Sequence, residues 1–338
     1  MRYHISNTTE KERIYIMKRY FILGGGAAAL EAAKAIRERD PSGLIVLLTD
    51  EPALPYMRPA LTKQLLADVS AQDIQLETPA WYDAPGRDIL VLMGRTVSCI
   101  DPENKTVSLA DGLVFPYDKL IYALGARCFV PPFEGSDRQN VIAVRTAEDA
   151  RRVREIAKTA KSAVVIGGGV LGLEAAWGLH QAGMAVSVVE IDARVMARQV
   201  DEDTSERIAR AMKDRGVKLY TCASTAKVDD AGLHLTDGRL LPADLVIVSA
   251  GVRANAEIAA AAGIRVDRKI LVDEHMATSV PDVYAAGDCA VCGVSYALWD
   301  EACEMGRVAG INAAGGDAVY TPVARPVHFV GFGVEIHQ

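Results

Sequence analysis

The run Gly24-Gly25-Gly26-Ala27-Ala28-Ala29 carries the strongest fold signal in the chain, and it recurs as Gly167-Gly168-Gly169-Val170-Leu171-Gly172. Each copy follows a short apolar run and opens an alanine-rich segment typical of a helix. A second apolar run then ends in an acid, Asp50 after the first copy and Glu190 after the second. This order of strand, glycine turn, helix, strand and acid is that of a dinucleotide-binding unit. Two such units predict two nucleotides and electron transfer between them.

The glycines of each copy have separate physical roles. The first lets the chain turn sharply, and the second lets the backbone approach a pyrophosphate because no Cβ intervenes. The helix that follows offers unpaired N–H groups and the positive end of its dipole to the phosphates. The third small residue, Ala29 or Gly172, lets the helix pack closely on its strand. Two complete copies favour nucleotide sites over two ordinary glycine-rich turns.

Composition limits the classes of partner and compartment. The chain has 338 residues, and its 50% hydrophobic content is enough for two domain-sized cores. The net charge of -7 gives no indication of a nucleic-acid partner. No apolar run approaches the ~20 residues that cross a bilayer, so no membrane association is predicted. The six cysteines are scattered, as in a reducing compartment, and we predict a cytoplasmic protein.

A later run completes a resemblance to a known family. Together with the two glycine stretches, Thr278-Ser279-Val280-Pro281-Asp282-Val283-Tyr284-Ala285-Ala286-Gly287-Asp288 resembles the two-dinucleotide flavoprotein reductases of the pyridine nucleotide–disulfide oxidoreductase superfamily. The resemblance runs from Lys18 to Tyr320 and implies an α/β fold of two Rossmann-like three-layer domains. It implies an FAD-binding domain at 17–139 and 266–325, an inserted NAD-binding domain at 140–265, and the start of a largely absent C-terminal interface domain at 326–338. Residues 1–16 are polar and charged and precede Met17, a candidate alternative start, so they are predicted to be an extension.

A narrower resemblance lies in Leu54-Pro55-Tyr56-Met57-Arg58-Pro59-Ala60-Leu61-Thr62-Lys63. This run is similar to a segment of rubredoxin reductases, of ferredoxin reductases of oxygenase systems and of the flavin half of nitrite reductases. The resemblance implies that Arg58 contacts FAD and that Lys63 lies beside the isoalloxazine, where Glu174 pairs with it. Lys63 and Glu174 are therefore the candidate catalytic residues, an ion pair that positions the nicotinamide and tunes flavin N5.

The same resemblance assigns further positions to the two cofactors. The mid-chain motif Ala123-Leu124-Gly125 is expected to wrap the FAD, with Ser249-Ala250-Gly251 as its counterpart near the nicotinamide nucleotide. The positions expected at FAD are Gly24, Gly26, Ala28, Ala29, Asp50, Glu51, Arg58, Lys63, Val97, Ala123, Leu124, Gly125, Arg145, Gly287, Asp288, Leu298 and Trp299. The positions expected at NAD are Gly167, Gly169, Val170, Leu171, Gly172, Glu190 and Gly251.

Cysteine usage separates this chain from the disulfide reductases of the superfamily. No cysteine lies between Asp50 and Leu66, where those enzymes carry a redox-active pair. Without that thiol neither a dithiol relay nor a sulfenic acid is available, so electrons are expected to leave reduced FAD directly. Cys289 and Cys292 have C-x-x-C spacing, but with no second pair they are predicted to be packed residues rather than metal ligands. No metal site is predicted, and the lone histidines are expected to be structural or surface residues.

The predicted function is hydride transfer from NADH to flavin N5, followed by electron transfer to a small one-electron carrier such as rubredoxin or ferredoxin. Glu190 favours NADH over NADPH, because a carboxylate accepts from a 2′-hydroxyl and repels a 2′-phosphate, although Arg194 offers such a phosphate a partner. An NADH oxidase, a nitrite reductase flavin component and a redox-sensing protein without turnover are the alternatives. The choice between monomer and dimer stays open. Residues 327–334 are expected to form one strand without an obvious partner.

Overall fold

A computed structural model describes residues 17–295, 297–324 and 326–338, so the predicted extension at 1–16 lies outside the described residues. The chain divides into two compact units. The first unit comprises the described part of Met1–Tyr56, with Gln75–Ala126 and Ala254–Val323. The second unit comprises Met57–Ile74, Arg127–Arg253 and Ala324–Gln338.

The helices and strands are numbered in chain order. The first group is β1 (Arg19–Leu23), α1 (Ala27–Arg39), β2 (Leu44–Leu48), α2 (Ala60–Lys63), α3 (Pro79–Tyr82), β3 (Ile89–Leu92), β4 (Val97–Asp101), β5 (Thr106–Leu109), β6 (Val114–Pro116), β7 (Lys119–Tyr122) and β8 (Ala126–Cys128). The second group is β9 (Val141–Ile142), α4 (Ala147–Ala157), β10 (Ser162–Ile166), α5 (Val170–Gln181), β11 (Ala185–Val189), α6 (Glu202–Asp214), β12 (Lys218–Tyr220), β13 (Thr225–Asp229), β14 (Gly232–Leu235), β15 (Leu240–Leu241), β16 (Leu245–Val248) and β17 (Val252–Ala254). The last group is α7 (Glu257–Ala261), β18 (Val266–Asp267), β19 (Lys269–Leu271), β20 (Val283–Ala285), a 3-10 helix (Gly287–Cys289), β21 (Ala290–Val291), α8 (Trp299–Ala313), β22 (His328–Gly331) and β23 (Val334–His337).

The first unit is built on a parallel sheet of order β20-β7-β1-β2-β3. Its central strands are continuous apolar runs and are buried, as expected for a parallel sheet covered on both faces. A separate antiparallel sheet, β4-β5-β6, belongs to the same unit. Helices α1 and α8 pack closely because Gly306 and Gly310 face the backbone of α1, where an added Cβ would lie 2.1 Å from the Ala28 oxygen and 2.4 Å from the Ala32 oxygen.

The second unit repeats this plan with a parallel sheet of order β12-β11-β10-β16-β9 and an antiparallel sheet of β13-β14-β15. The predicted α/β fold of two Rossmann-like units is confirmed. The outermost strand differs between the copies. The second unit takes β9 from the chain just before its first long strand, whereas the first unit takes β20 from far along the chain.

The compact units differ from the predicted domain ranges at their edges. The chain leaves the first unit after Ala126 and returns at Ala254, rather than at 139 and 266. The segment Met57–Ile74 clusters with the second unit. Hydrogen bonds explain this placement, because Arg58 Nη1 donates to the Arg145 carbonyl at 2.9 Å and Thr62 Oγ1 donates to the Glu174 carboxylate at 2.8 Å.

The C-terminal segment forms a hairpin, so the expectation of a single unpaired strand at 327–334 is wrong. Strands β22 and β23 pair antiparallel, with His328 opposite His337. The two connecting residues, Phe332 and Gly333, both have positive φ, at 54° and 84°. Such a two-residue turn matches the right-handed twist of paired strands. The sequence signal was Gly333 between two short apolar runs.

Among the described residues, no helix is both long enough and apolar enough to span a bilayer.

Candidate functional site

The first glycine turn has a backbone that only glycine accommodates. Gly24 has a φ of 124°, and an added Cβ would lie 2.1 Å from the carbonyl oxygen of Ala123. Gly26 then caps the N-terminus of the 13-residue α1; among the described residues no side chain caps this helix and nothing lies within 4 Å of an added Cβ. The first helical turn carries no acid. An uncapped helix start beside open space fits a pyrophosphate.

The second glycine turn has the same construction. Gly167 has a φ of 111°, and its added Cβ would lie 2.2 Å from the carbonyl oxygen of Ser249. Gly169 caps α5, again without a side-chain cap or a close neighbour among the residues described. Gly172 lies against the start of the turn, since its added Cβ would lie 2.1 Å from the Gly167 oxygen. The close helix–strand approach predicted for this position is therefore present in the geometry.

Glu190 is fixed by the backbone directly behind the second turn. It follows β11 at once, is 9% exposed, and accepts N–H bonds from Gly168 at 2.6 Å and from Asp192 at 2.8 Å. These two donors fill part of the carboxylate's capacity and fix its orientation, which leaves lone pairs for a ribose hydroxyl. The geometry suits the predicted nucleotide contact.

The first unit has a different residue at the position of Glu190. The strand register is the same, because Leu23 pairs with Leu48 as Ile166 pairs with Val189, and the residue after Leu48 is Thr49. Thr49 is 2% exposed, and its Oγ1 would lie 2.6 Å from a Cβ added at Gly25. Asp50, the acid singled out by sequence, lies one position further on and is exposed. Strand register is the signal that identifies Thr49, and it is not readable from one sequence.

Glu51 lies beyond Asp50 and has a side-chain partner. Its carboxylate accepts a hydrogen bond from the buried Tyr56 hydroxyl at 2.5 Å. The Glu51 N–H in turn donates to Thr49 Oγ1 at 3.2 Å. The loop after β2 is therefore held by its own side chains.

Arg194 was expected to offer a 2′-phosphate a partner. Its guanidinium instead donates to three backbone carbonyls, those of Val200, Asp201 and Ala197, at 2.8, 3.2 and 3.0 Å. The side chain thereby ties together the loop between β11 and α6. With those donors engaged, Arg194 is poorly placed to attract NADPH.

Glu174 is buried in α5, and Thr62 is its hydrogen-bond partner at 2.8 Å. Burial raises the pKa of the Glu174 carboxyl, while the Thr62 hydrogen bond and the nearby charges of Lys63 and His328 oppose that shift. Within the described part of the chain, Lys63 shows no ion pair with Glu174 within 4.0 Å and acts on it through space. The threonine preceding the lysine is thus the direct contact, a role that sequence reasoning did not assign.

Arg58 and Arg145 are brought together in the second unit. Arg58 donates to the Arg145 carbonyl, and the Arg145 N–H donates to Asp149 at 3.1 Å where α4 begins. Thr146 and Asp149 form a reciprocal capping box at this helix start. The side chain of Arg58 therefore contacts the backbone of Arg145, and the resemblance assigns both residues to FAD.

The mid-chain motif of the first unit is held by Asn255, which sequence reasoning missed. Asn255 donates its N–H to the Gly125 carbonyl and its side-chain amide to the Leu124 carbonyl, both at 2.9 Å. The Tyr122 hydroxyl closes the group by donating to the Asn255 carbonyl at 2.8 Å. In the second unit the counterpart Gly251 accepts a backbone N–H from Phe129.

The later G-D motif lies beside the first glycine turn. Gly287 has a φ of 78°, and an added Cβ would lie 3.1 Å from the Cβ of Ala28 in α1. Asp288 follows in the 3-10 helix, and Leu298 and Trp299 lie at the start of α8. Val97, at the start of β4, is 6% exposed and packs in the core of the first unit. The contact of Val97 with FAD stays a prediction.

The C-x-x-C pair has the environment of packed residues. Cys289 is fully buried and its thiol donates to the Ala286 carbonyl at 3.3 Å. Burial raises the pKa of the Cys289 thiol to about 12 and also raises the pKa of Cys292. Thiols with raised pKa values are poor nucleophiles and poor metal ligands.

Comparison with known proteins identifies the family. Residues 18–306 match the family described as pyridine nucleotide-disulphide oxidoreductase. The chain belongs to this family. The family prediction made from the two glycine stretches and the later G-D motif is confirmed.

Two relatives and one solved structure show which members of the family the chain resembles. The chain is 34% identical to the assimilatory nitrate reductase electron transfer subunit of Bacillus subtilis over 88% of its own length and 39% of that protein. It is 32% identical to the NADH-rubredoxin oxidoreductase of Clostridium acetobutylicum over 89% of its length and 76% of that protein. A structure of the covalent putidaredoxin reductase–putidaredoxin complex matches with a TM-score of 0.88 at 30% identity, covering 94% of this chain and 80% of the other. The chain thus spans about two fifths of the Bacillus relative's length.

Proposed function

We propose that this chain is an FAD-dependent oxidoreductase that takes hydride from NADH and passes electrons to a small one-electron carrier protein. The observation that carries the proposal is the duplicated nucleotide unit, in which Gly24 and Gly167 each turn the chain against a strand-end carbonyl. Behind each turn stands a long helix whose described N-terminus has no side-chain cap. The names of relatives, among them an NADH-rubredoxin oxidoreductase and ferredoxin–NAD(+) reductase components, support the same chemistry.

FAD is assigned to the first unit and NADH to the second. Gly24, Gly26 and the start of α1 would hold the FAD pyrophosphate, while Gly167, Gly169 and the start of α5 would hold that of NADH. When bound, FAD supplies the chemistry of accepting hydride and releasing electrons, and the protein supplies orientation and electrostatics.

NADH is the proposed reductant because of Glu190 and Arg194. The Glu190 carboxylate is held by two backbone N–H groups directly behind the glycine turn. A 2′-phosphate would meet this negative charge, and the nearest predicted counter-charge, Arg194, is bonded to backbone carbonyls instead. Both features favour a free 2′-hydroxyl.

Lys63 and Glu174 are proposed to act beside the reacting rings. Thr62 fixes the Glu174 carboxylate, and Lys63 supplies a positive charge nearby. Lys63→Met is expected to retain FAD and to slow flavin reduction by NADH about tenfold in single turnover. The exposed Lys158, which pairs with Glu155 in α4, provides a Lys158→Met control with unchanged rates. Equal rates in Lys63→Met and wild type would remove the proposed role.

The acceptor is tested by a panel of oxidants. The FAD-loaded protein, reduced by NADH, should turn over with rubredoxin or ferredoxin faster than with oxygen or nitrite. An NADH oxidase is the second candidate, because a Methanocaldococcus jannaschii protein of that name is 34% identical over 90% of this chain. Fastest turnover with oxygen would favour that candidate, and fastest turnover with nitrite would favour a nitrite reductase component. A stable NADH complex with negligible turnover would favour a redox sensor.

A further inference from the structure

His328 and His337, near the two ends of the C-terminal segment, lie side by side on the hairpin of β22 and β23. His328 lies directly opposite His337 in the strand register, and Glu335 lies two residues before His337 on the same face. All three side chains are exposed, at 48%, 62% and 61%. In the sequence alone these histidines have no partner at ligand spacing, because only the pairing of β22 with β23 joins them.

The pairing type brings these side chains close. Val327 and Gln338 exchange both backbone hydrogen bonds, so the neighbouring pair of His328 and His337 occupies a non-hydrogen-bonded position. Side chains at such positions approach more closely than at hydrogen-bonded ones. The two imidazole rings accordingly stack, with centroids 4.3 Å apart and planes 12° apart.

Three candidate ligand atoms converge on one point. His328 Nε2 lies 3.3 Å from Glu335 Oε1, and His337 Nε2 lies 3.0 Å from the same oxygen. All three atoms lie within 4.8 Å of one another. Ligands bound ~2.0–2.1 Å from a tetrahedral zinc ion are separated by about 3.3 Å. The observed separations are close to this value, and a tilt of the two stacked rings would direct both nitrogens at one ion.

The opposite face of the hairpin holds this arrangement in place. Phe329 and Ile336 alternate with the ligands and are 0% and 3% exposed. Phe332 at the turn packs edge-on against Trp177 of α5, with ring centroids 5.3 Å apart. The three ligand residues are thus carried on paired strands anchored to the second unit, which preorganises them better than a loop would.

We propose that His328, Glu335 and His337 form a binding site for a divalent first-row transition ion, with zinc as the first choice. Two imidazole nitrogens and one carboxylate oxygen are a donor set that zinc accepts, with a fourth position open to solvent. Magnesium and calcium are disfavoured because they select oxygen ligands. The site faces solvent, and the charge of His328 also opposes the raised pKa of Glu174.

Zinc titration by calorimetry tests this site on the full chain, free of any histidine tag. The exposed thiols of Cys99 and Cys222 are first blocked by alkylation, because they also bind zinc. Wild type should bind one equivalent, and His328→Ala and His337→Ala should each weaken that binding at least tenfold. His234→Ala is the matched control, since His234 also pairs with a carboxylate on a hairpin, at 2.9 Å from Asp229, and should leave the affinity unchanged.

Thermal unfolding provides a second readout. Zinc that binds only the folded state should raise the Tm of wild type and of His234→Ala, but not of His328→Ala or His337→Ala. The variants should match wild type in the presence of EDTA, because both residues are exposed; if one misfolds, Glu335→Gln replaces it. Equal zinc affinity in wild type and the hairpin variants would overturn the proposal. Absence of binding to wild type at millimolar zinc would overturn it as well.

Discussion

The two glycine turns of this protein are alike in their backbones and different in the side chains behind them. Gly24 and Gly167 approach the carbonyls of Ala123 and Ser249 almost equally, with added Cβ atoms at 2.1 and 2.2 Å. The residue after the second strand, however, is Thr49 in the first unit and Glu190 in the second. The two units share the geometry of the glycine turn, and they differ in the side chain that follows the second strand.

The third small residue of the glycine stretch also differs between the two units. Gly172 cannot take a Cβ without meeting the Gly167 oxygen at 2.1 Å, whereas the first unit carries Ala29 there, fully buried. The same fingerprint tolerates a methyl group in one copy and excludes it in the other.

The strongest loss of nucleotide affinity is expected when the first glycine of each turn is replaced in a separate variant. Gly24→Ala should weaken FAD binding by about 100-fold, since a positive φ costs a non-glycine residue about 1–3 kcal/mol and the new Cβ also collides with Ala123. Gly167→Ala should retain FAD and lose NADH affinity to a similar degree. Flavin absorbance after gel filtration and NADH titration measure the two effects.

The control for both variants is Gly178→Ala in α5, where an added Cβ has open space among the described residues. That substitution should keep both nucleotides and stabilise the helix by about 0.5–1 kcal/mol. If Gly167→Ala released FAD and kept NADH, the assignment of nucleotides to units would be reversed.

A smaller effect, on kcat/KM for NADH, is expected when Glu190 is replaced. Glu190→Gln should lower kcat/KM for NADH about tenfold, because a hydrogen bond to a charged group is worth roughly 1.5–3 kcal/mol and glutamine keeps a weaker acceptor. The ratio of kcat/KM for NADH over NADPH should fall with it. Glu206→Gln, an exposed position in α6 of the same unit, is the control. An unchanged ratio in Glu190→Gln would show that the carboxylate does not select the nucleotide.

The remaining effect is on stability rather than on nucleotide binding; it concerns Thr62 and depends on pH. Burial raises the pKa of Glu174, so the folded state holds its proton to higher pH than the unfolded state does. The stabilising contribution of the protonated form is full below the unfolded pKa of about 4.3 and is lost as pH rises through the folded pKa. Thr62→Val removes a donor to the ionised carboxylate, which raises this pKa further.

Chemical unfolding at two pH values measures the change. Thr62→Val should lower the free energy of unfolding by roughly 1.5–3 kcal/mol at pH 8, and by less at pH 5, since the lost bond is strongest to the charged form. Thr62→Ser keeps the hydroxyl and should behave as wild type. A loss that is equal at both pH values would mean that Thr62 acts through packing alone.

Sequence predicted the parts of this molecule that depend on local pattern. The glycine turns, their helices, the family and the packed state of Cys289 follow from motifs and composition. The parts missed depend on strand pairing or on side-chain contacts between distant segments. Thr49 is identified only by register, and the hairpin that joins His328 to His337 only by its pairing. A single sequence carries no direct record of such contacts.

We propose that NADH held by the second unit reduces FAD held by the first. Anaerobic stopped-flow mixing of the FAD-loaded protein with excess NADH is the experiment that decides this. The flavin absorbance should bleach in one phase whose rate saturates with NADH and is slower with NADPH. Flavin that stays oxidised at saturating NADH, although both nucleotides are bound, would contradict the claim.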